Sequence, residues 1–531
     1  MLRLRNLCLS PDRDDRRSLL RLCAKELGVF ESRIGELQIR RRSIDARKKE
    51  RIRLIYTVDV ALDEEEQYIR ERKDVPISPV EREYRLPVPA RMPEERPVVA
   101  GFGPAGMFAA LALAEANLRP VILERGLDVE ARSEKVEAFR RNGLLDPECN
   151  VQFGEGGAGT FSDGKLNTGI SGSGVSYVLR RFADFGAGES VTWDAAPHVG
   201  TDVLRKVVRS LRERILDLGG EIRFRTRLTD LQSRDGALTG VVCREGEYTE
   251  TIPCTALFLA VGHSARDTME MLYRSGLPME PKAFSMGLRI EHLQQDLDQI
   301  QFGSYAGLKS LGAASYKLAV HLPDGTGVYT FCMCPGGYVI AAASEEGGVV
   351  TNGMSYSGRA GRNGNSALLA SLSPKQFPEA GPLGGMQWQR QLETAAFRWA
   401  GGNYAAPSQL LRDFVLGMDS AGPGRILPTY EPGVRWGDLH DWLPRVVTDP
   451  IMKALPMLNR KLPGFADPEA VLTGPETRSS SPVRLLRGTD CQSIGLKGLY
   501  PCGEGAGWAG GIVSAAADAL RCCEAYLNTL I

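Results

Sequence analysis

No apolar run in this 531-residue chain is long enough to cross a bilayer. The longest stretches, such as 256–261, fall far short of the roughly 20 residues that a spanning helix needs. Charge of one sign is also missing: Lys+Arg and Asp+Glu both number 65, so no global field steers the chain toward nucleic acid or an anionic membrane. The eleven cysteines include no C-x-x-C spacing and are odd in number, which argues for reduced thiols and against a disulfide framework or zinc knuckle. The five histidines form no H-E-x-x-H or H-x-H arrangement, so no metal site is signalled. The opening Met1-Leu-Arg-Leu-Arg-Asn6 runs into charged sequence without the apolar core of a signal peptide, and a cytoplasmic protein is expected. What remains is an ordinary globular composition, 43% hydrophobic and 24% charged, in a chain long enough for two or three domains.

The strongest positive signal is Pro97-Val-Val-Ala-Gly-Phe-Gly-Pro-Ala-Gly106, where an apolar strand runs into Gly101, Gly103 and Gly106 spaced as G-x-G-x-x-G. Pro104, Ala105 and the helix formers from Met107 to Ala116 follow, then a second short strand ending in Glu124-Arg125. Such a turn lets the backbone approach a pyrophosphate, aims a helix N-terminus at it, and puts Glu124 where an acid holds a ribose hydroxyl. A dinucleotide site is predicted.

Residues 1–75 form a compositional unit of their own. Strands are expected at 2–9, 36–43 and 51–62 and a helix at 14–27, a βαββ arrangement similar to the ferredoxin-like class. Over residues 1–60 there are 16 Lys/Arg against 9 Asp/Glu, with basic runs at Arg40-Arg41-Arg42 and Arg47-Lys48-Lys49. Residues 40–53 are therefore a candidate RNA surface; a solvated sheet edge or a contact with the nucleotide domain explains them equally. Prolines at 76, 79, 87, 89, 93 and 97 mark an extended connector over 76–97. The nucleotide fold is expected over 98–280. A domain rich in antiparallel sheet, suited to covering a substrate, is expected over 281–484, where helical periodicity thins. The nucleotide fold is expected to return over 485–531.

That return selects among dinucleotides. Gly498-Leu-Tyr-Pro-Cys-Gly503-Glu504 is a strand ending in Gly-acid, followed by a second glycine-rich passage through Gly510 and Gly511 and an apolar helix from Ile512. FAD needs such a second cradle for its flavin half, with Glu504 accepting from ribityl hydroxyls and the helix dipole facing the flavin N1–C2=O edge. Strand 98–103, Glu124-Arg125-Gly126, Ala260-Val-Gly262 and Gly503-Glu504 together resemble the glutathione-reductase-like flavoprotein superfamily. Gly156-Gly-Ala-Gly-Thr-Phe-Ser-Asp-Gly-Lys165 and Cys332-Met-Cys-Pro-Gly-Gly337 are similar to segments of bacterial FAD-dependent dehydrogenases of unassigned substrate. That resemblance covers nearly the whole chain. It implies an α/β fold with a Rossmann-like FAD domain, FAD itself and a redox role.

Within the 154–164 loop, Gly157, Thr160 and Ser162 are expected against phosphate or ribityl oxygens, and Lys165 near the flavin; a surface loop with a solvated lysine is the plainer alternative. The Tyr329–Ile340 segment is similar to one beside the flavin in geranylgeranyl-reductase-like enzymes, but Phe331 and Cys334 replace an aromatic pair, so a prenyl substrate is in doubt. Cys332 and Cys334, two apart on a strand, are expected on one face, as catalytic thiols or as small buried hydrophobes. Arg478 and Arg484 would clamp a carboxylate or phosphate, or pair with acids of the fold. His263 and Asn352 are further candidates. No second fingerprint offers NADH or NADPH a separate domain, so either would visit the flavin transiently. The function expected is hydride exchange between flavin N5 and a small organic substrate. The alternatives are a flavoprotein acting on RNA and a non-catalytic flavin redox sensor.

Overall fold

The computed structural model describes residues 1–71, 77–79 and 84–531. Residues 72–75 of the N-terminal unit and 76 and 80–83 of the connector lie outside the described residues.

Strand β1 (Leu2–Leu9), helix α1 (Arg16–Leu27) and strands β2 (Ile34–Asp45) and β3 (Arg53–Leu62) build a βαββ unit with strand order β1-β3-β2, neighbours antiparallel, and α2 (Glu65–Glu71) follows. Asp15 starts α1 by accepting from the Ser18 amide at 2.8 Å. Leu4, Leu19, Leu54, Val58 and Val60 fill the core beneath the sheet. Arg40 and Arg42 of the basic runs are part-buried and paired, whereas Arg41, Arg47, Lys48 and Lys49 are exposed. Arg40 pairs with buried Asp59 at 2.6 Å, Arg42 with Asp14 at 2.9 Å and Asp194 at 3.5 Å, and Arg47 with Asp45 at 2.7 Å. The connector is pinned rather than loose: Ser78 donates its amide to the Met1 carbonyl, and Ala90 and Arg91 both donate to Leu530.

The central unit runs β4 (Val98–Ala100), α3 (Pro104–Glu115), β5 (Val121–Leu123), α4 (Val129–Asn142), α5 (Ser173–Phe182), α6 (Thr201–Asp217) and β6 (Glu221–Arg223). A three-stranded antiparallel meander follows, β7 (Thr226–Arg234), β8 (Ala237–Glu245) and β9 (Tyr248–Pro253), then β10 (Leu257–Leu259) and α7 (Arg266–Arg274).

The next stretch comprises β11 (Met279–Pro281), β12 (Phe284–Leu293), α8 (Gln294–Phe302), β13 (Ala319–His321), β14 (Gly327–Cys334), β15 (Tyr338–Ala341), β16 (Thr351–Met354) and β17 (Asn363–Leu372). It continues through α9 (Gly384–Trp399), β18 (Ala406–Leu410), α10 (Leu411–Leu416), β19 (Val434–Trp436), α11 (Arg445–Lys461), β20 (Val471–Glu476) and β21 (Val483–Leu485). Seven strands pair in the order β13-β14-β17-β12-β20-β18-β19, all antiparallel except β18 with β19. The sequence pattern missed α9 and α11. Helix α11 carries Pro450 and Pro456 in its interior, which argue against a helix locally, yet Val447, Ile451, Ala454, Leu455 and Leu458 form a buried stripe that holds it.

Strand β22 (Leu499–Pro501) and helix α12 (Ile512–Asn528) return the chain to a parallel sheet ordered β22-β10-β4-β5-β6. The fold is thus mixed α/β, with separate parallel and antiparallel sheets. Helix α3 is buried at every position from 105 to 114 because it is packed between this sheet and α12. No helix among the described residues is long and apolar enough to cross a membrane.

Candidate functional site

A cavity of about 520 Å³ runs from the β4–α3 turn to the end of β14. Its first half is backbone-lined: Gly101, Gly103, Pro104 and Ala105 at the start of α3, Gly157 and Gly159 of the following loop, and Gly510, Gly511 and Ile512 at the start of α12. Two helix N-termini therefore face one space, each with unspent amides and a positive dipole end. Gly101 has φ +93°, and a Cβ there would collide with the Ala260 carbonyl, so the turn needs glycine.

Glu124 lines this half and joins its parts. Its two oxygens accept from the amides of Phe102 (2.8 Å), Gly126 (2.8 Å) and Gly154 (2.9 Å). A carboxylate has roughly four acceptor positions, so one is left toward the cavity. Arg125 and Gly262 also line it. Arg125 is held by Glu148 at 2.9 Å and Asp267 at 3.0 Å and covers the Phe153 ring. Glu504 faces the cavity from the end of β22, its carboxyl raised to about 7 by burial, with His263 Nδ1 3.6 Å away. Burial and the nearby Arg478 and Arg266 push His263 down to about 3, so its ring is neutral. This open turn, the two helix ends and the paired acids fit an extended dinucleotide.

Three expected cofactor contacts stand behind the wall. Gly106 packs on its own turn, where a Cβ would strike the Gly101 carbonyl. Gly503 donates its amide to Asp518 at 2.9 Å. Thr160 is buried beneath Gly156. None of the three lines the cavity.

The second half is made of side chains. Ser162 and Lys165 come from the loop; Lys165 lies 2.9 Å from Asp163 and donates to the Met333 carbonyl, tying the loop to β14. Buried Asp163 also binds Arg359 at 2.8 Å and the Ser355 hydroxyl. Burial would raise its carboxyl, but Lys165 and Arg359 hold it well below the usual range. Burial drops nearby His198 to about 4.

Cys332 lines the cavity and Cys334 does not. The expected regular strand is broken: pairing with β17 slips between Phe331 and Cys334, and Cys332 sits at φ +44°. Instead of sharing one exposed face, the two thiols are stacked, with Cys334 donating to the Cys332 carbonyl at 3.2 Å. Arg289 pins the bulge by donating to the same carbonyl at 3.0 Å. The hydrogen bond from Cys334 lowers the Cys332 thiol; burial opposes it, and Lys165 and Arg289 help bring it to about 6.

Glu476 and Asn352 complete this wall, with Arg289 fully buried behind it. Arg289 Nε is 2.8 Å from Glu476 Oε2, but neither atom has a well-directed hydrogen bond, and both are fully enclosed. Burial raises the Glu476 carboxyl to about 7 against the pull of Arg289. Glu476 was not anticipated, although it directly precedes the polar Thr477–Arg484 segment. The charges of Arg289 and Glu291 inside the apolar run 284–293 were the available clue.

Arg478 reaches the cavity but is already committed. It makes a bidentate pair with Glu393 (2.9 and 2.7 Å) and donates to Ser264 and Ser344. It belongs to a buried network with Arg266, which explains why it offers no empty clamp. Arg484 points elsewhere, to Glu280 at 3.2 Å. No cluster of three metal-binding side chains is found among the described residues.

A family model described as "FAD-dependent protein, C-terminal domain-like" matches residues 283–479, and a domain family of unknown function matches 1–61. An uncharacterized protein of Clostridium beijerinckii is 44% identical over 526 residues, 98% of each chain. Among solved structures, the geranylgeranyl bacteriochlorophyll reductase-like protein of Thermoplasma acidophilum is 10% identical over 82% of this chain and 77% of its own, with a TM-score of 0.36. The flavin-dependent brominase Bmp2, as a triple mutant, is 11% identical over 82% of this chain and 80% of its own, also at 0.36.

Proposed function

The chain belongs to a family of FAD-dependent oxidoreductases of unassigned substrate, and from that premise we propose that it exchanges a hydride between FAD and a small organic substrate. FAD, when bound, supplies the redox chemistry at flavin N5. In this reading residues 98–280 and 485–531 hold the cofactor and 281–484 cover it. The observation that carries the reading is the continuity of one cavity from two glycine-lined helix ends to a wall of titratable side chains.

The amides of Gly103 and Ala105 would hold the pyrophosphate, Glu124 a ribose hydroxyl and Glu504 the ribityl chain. The start of α12 would favour negative charge on the pyrimidine side of the flavin. Lys165, fixed by Asp163, orients substrate from the loop side. Cys332 and Glu476 face the same space, so the thiol Sγ or the Glu476 oxygen turned away from Arg289, Oε1, would hold or release a proton there. Arg478 positions Ser264 and Ser344 rather than gripping substrate itself. NADH or NADPH would serve as a transient electron donor.

Purified protein given FAD is expected to be yellow, to bleach anaerobically with NADH or NADPH, and to recover colour with one acceptor from a metabolite library. Protein that stays colourless in excess FAD would end the reading. Bleaching and recolouring by oxygen alone, with no acceptor turned over, would favour a flavin redox sensor. Loss of co-purifying RNA with salt would favour the RNA alternative, which the pairing of Arg40 with Asp59 and of Arg42 with Asp14 does not support.

A further inference from the structure

A second cavity, of about 380 Å³, opens beside the first and shares Arg125 and Arg227 with it. Five cations line it, against Asp146 and Glu148. Most of that charge is balanced. Arg125 and Arg227 divide Glu148 and Asp267 between them, and Lys135 lies 3.2 Å from Asp146.

Arg225 and Arg244 are the exception. Both are exposed, and neither side chain makes an ion pair or hydrogen bond among the described residues. Their placement also costs the fold something. Arg244 stands directly opposite Arg227 in the β7–β8 register, where like charges repel. Arg225 adopts φ +55°, a conformation that a non-glycine side chain rarely takes. Two guanidiniums held at a cleft against repulsion and backbone strain suit the planar, bidentate recognition of a phosphate. The cleft's volume lies in the range of small-ligand sites, about 300–1,000 Å³.

We propose that this cleft is a second binding site, taking a phosphate-bearing ligand of nucleotide size between Arg225 and Arg244. It adjoins the site assigned to FAD, with Arg125 and Arg227 between them, and does not depend on the redox reading. The test is calorimetric titration of the full-length, FAD-saturated protein with ADP, adenosine and inorganic phosphate. ADP is expected to bind and adenosine not to. R225Q/R244Q should weaken ADP on the order of tenfold, with R225K/R244K intermediate, while the visible spectrum of bound FAD is unchanged. Competition between inorganic phosphate and ADP would show that the phosphate is the part recognised and would support the proposal. Equal binding of ADP and adenosine, or unaltered binding by the glutamine variant, would overturn it. So would loss of FAD from that variant, because the cleft would then be part of the cofactor site. Protein that takes up no FAD would sink the redox reading alone, since the paired variants can still be titrated with inorganic phosphate.

Discussion

Two groups of buried charge border the main cavity, and they differ in how fully they are partnered. Around Glu393, every strong acceptor is used: Arg266 and Arg478 each pair with both oxygens, and the Thr477 hydroxyl donates as well. Around Glu476, the one ion-pair partner among the described residues is Arg289, and the facing Nε and Oε2 atoms lack a well-directed bond. The first group spans α7, α9 and the segment after β20, so it locks the parallel-sheet unit to the antiparallel one. The second leaves an underused carboxyl and a strained cysteine facing the same space. A saturated network specifies structure, whereas an enclosed polar group without full partnership needs another explanation, for which the proposed proton transfer is the candidate.

Isosteric amides break this comparison most sharply. E393Q places a neutral group between two guanidiniums and should cost about 3–5 kcal/mol, the usual penalty for breaking a buried pair. E476Q measured at pH 6 should cost under about 1 kcal/mol, because that carboxyl is then mostly protonated and the amide oxygen still faces Arg289. Urea unfolding of both variants at pH 6 decides it, and equal losses would erase the distinction.

The pH dependence of stability should carry opposite signs at the two sites. Burial would raise the Glu393 carboxyl, but Arg266 and Arg478 hold it well below the ordinary glutamate value of about 4.3. Its contribution is therefore present above that value and lost as pH falls through the folded one. Glu476, raised to about 7, keeps a proton that the unfolded chain releases, so its contribution declines from about pH 4.3 to about 7 and is flat above. Relative to the parent chain, E476Q should flatten the neutral limb and E393Q the acid limb. Glu155 and Glu504, also raised to about 7, would keep part of the neutral slope in E476Q.

How legible these features are in the sequence follows from how local they are. The turn from Gly101 to Gly106, the acid Glu124 and the return through Gly503-Glu504 to Ile512 are short patterns of residue types at fixed spacings. They could be read directly, as could the βαββ unit from its periodicity. The Glu393 network joins residues more than eighty positions apart, and nothing near Glu393 in α9 marks it as the partner of Arg478. Helix α11 was hidden by its own prolines. The bulge at Cys332 depends on Arg289 from another strand, so the two cysteines read as a regular pair when their geometry is not. Tertiary partners, rather than local propensity, decide all three.

The smallest expected effect concerns Cys332, where reactivity rather than stability changes. Its thiol is lowered to about 6 first by the hydrogen bond from Cys334, then by the charges of Lys165 and Arg289, against burial. Alkylation by iodoacetamide should therefore have a midpoint below the ordinary cysteine range of about 8.5, read by mass spectrometry of the peptide carrying Cys332. In C334S a hydroxyl keeps a donor at that place and the midpoint should move only slightly upward. In C334A the donor is gone and the shift should be larger. K165M should also raise it, since it removes a neighbouring positive charge while preserving length, and it should leave the stability contrast between Glu393 and Glu476 intact. A midpoint in the ordinary cysteine range of about 8.5 for the parent chain would mean that the pinned bulge does not activate this thiol. The proton-exchanging wall would then reduce to Glu476 alone.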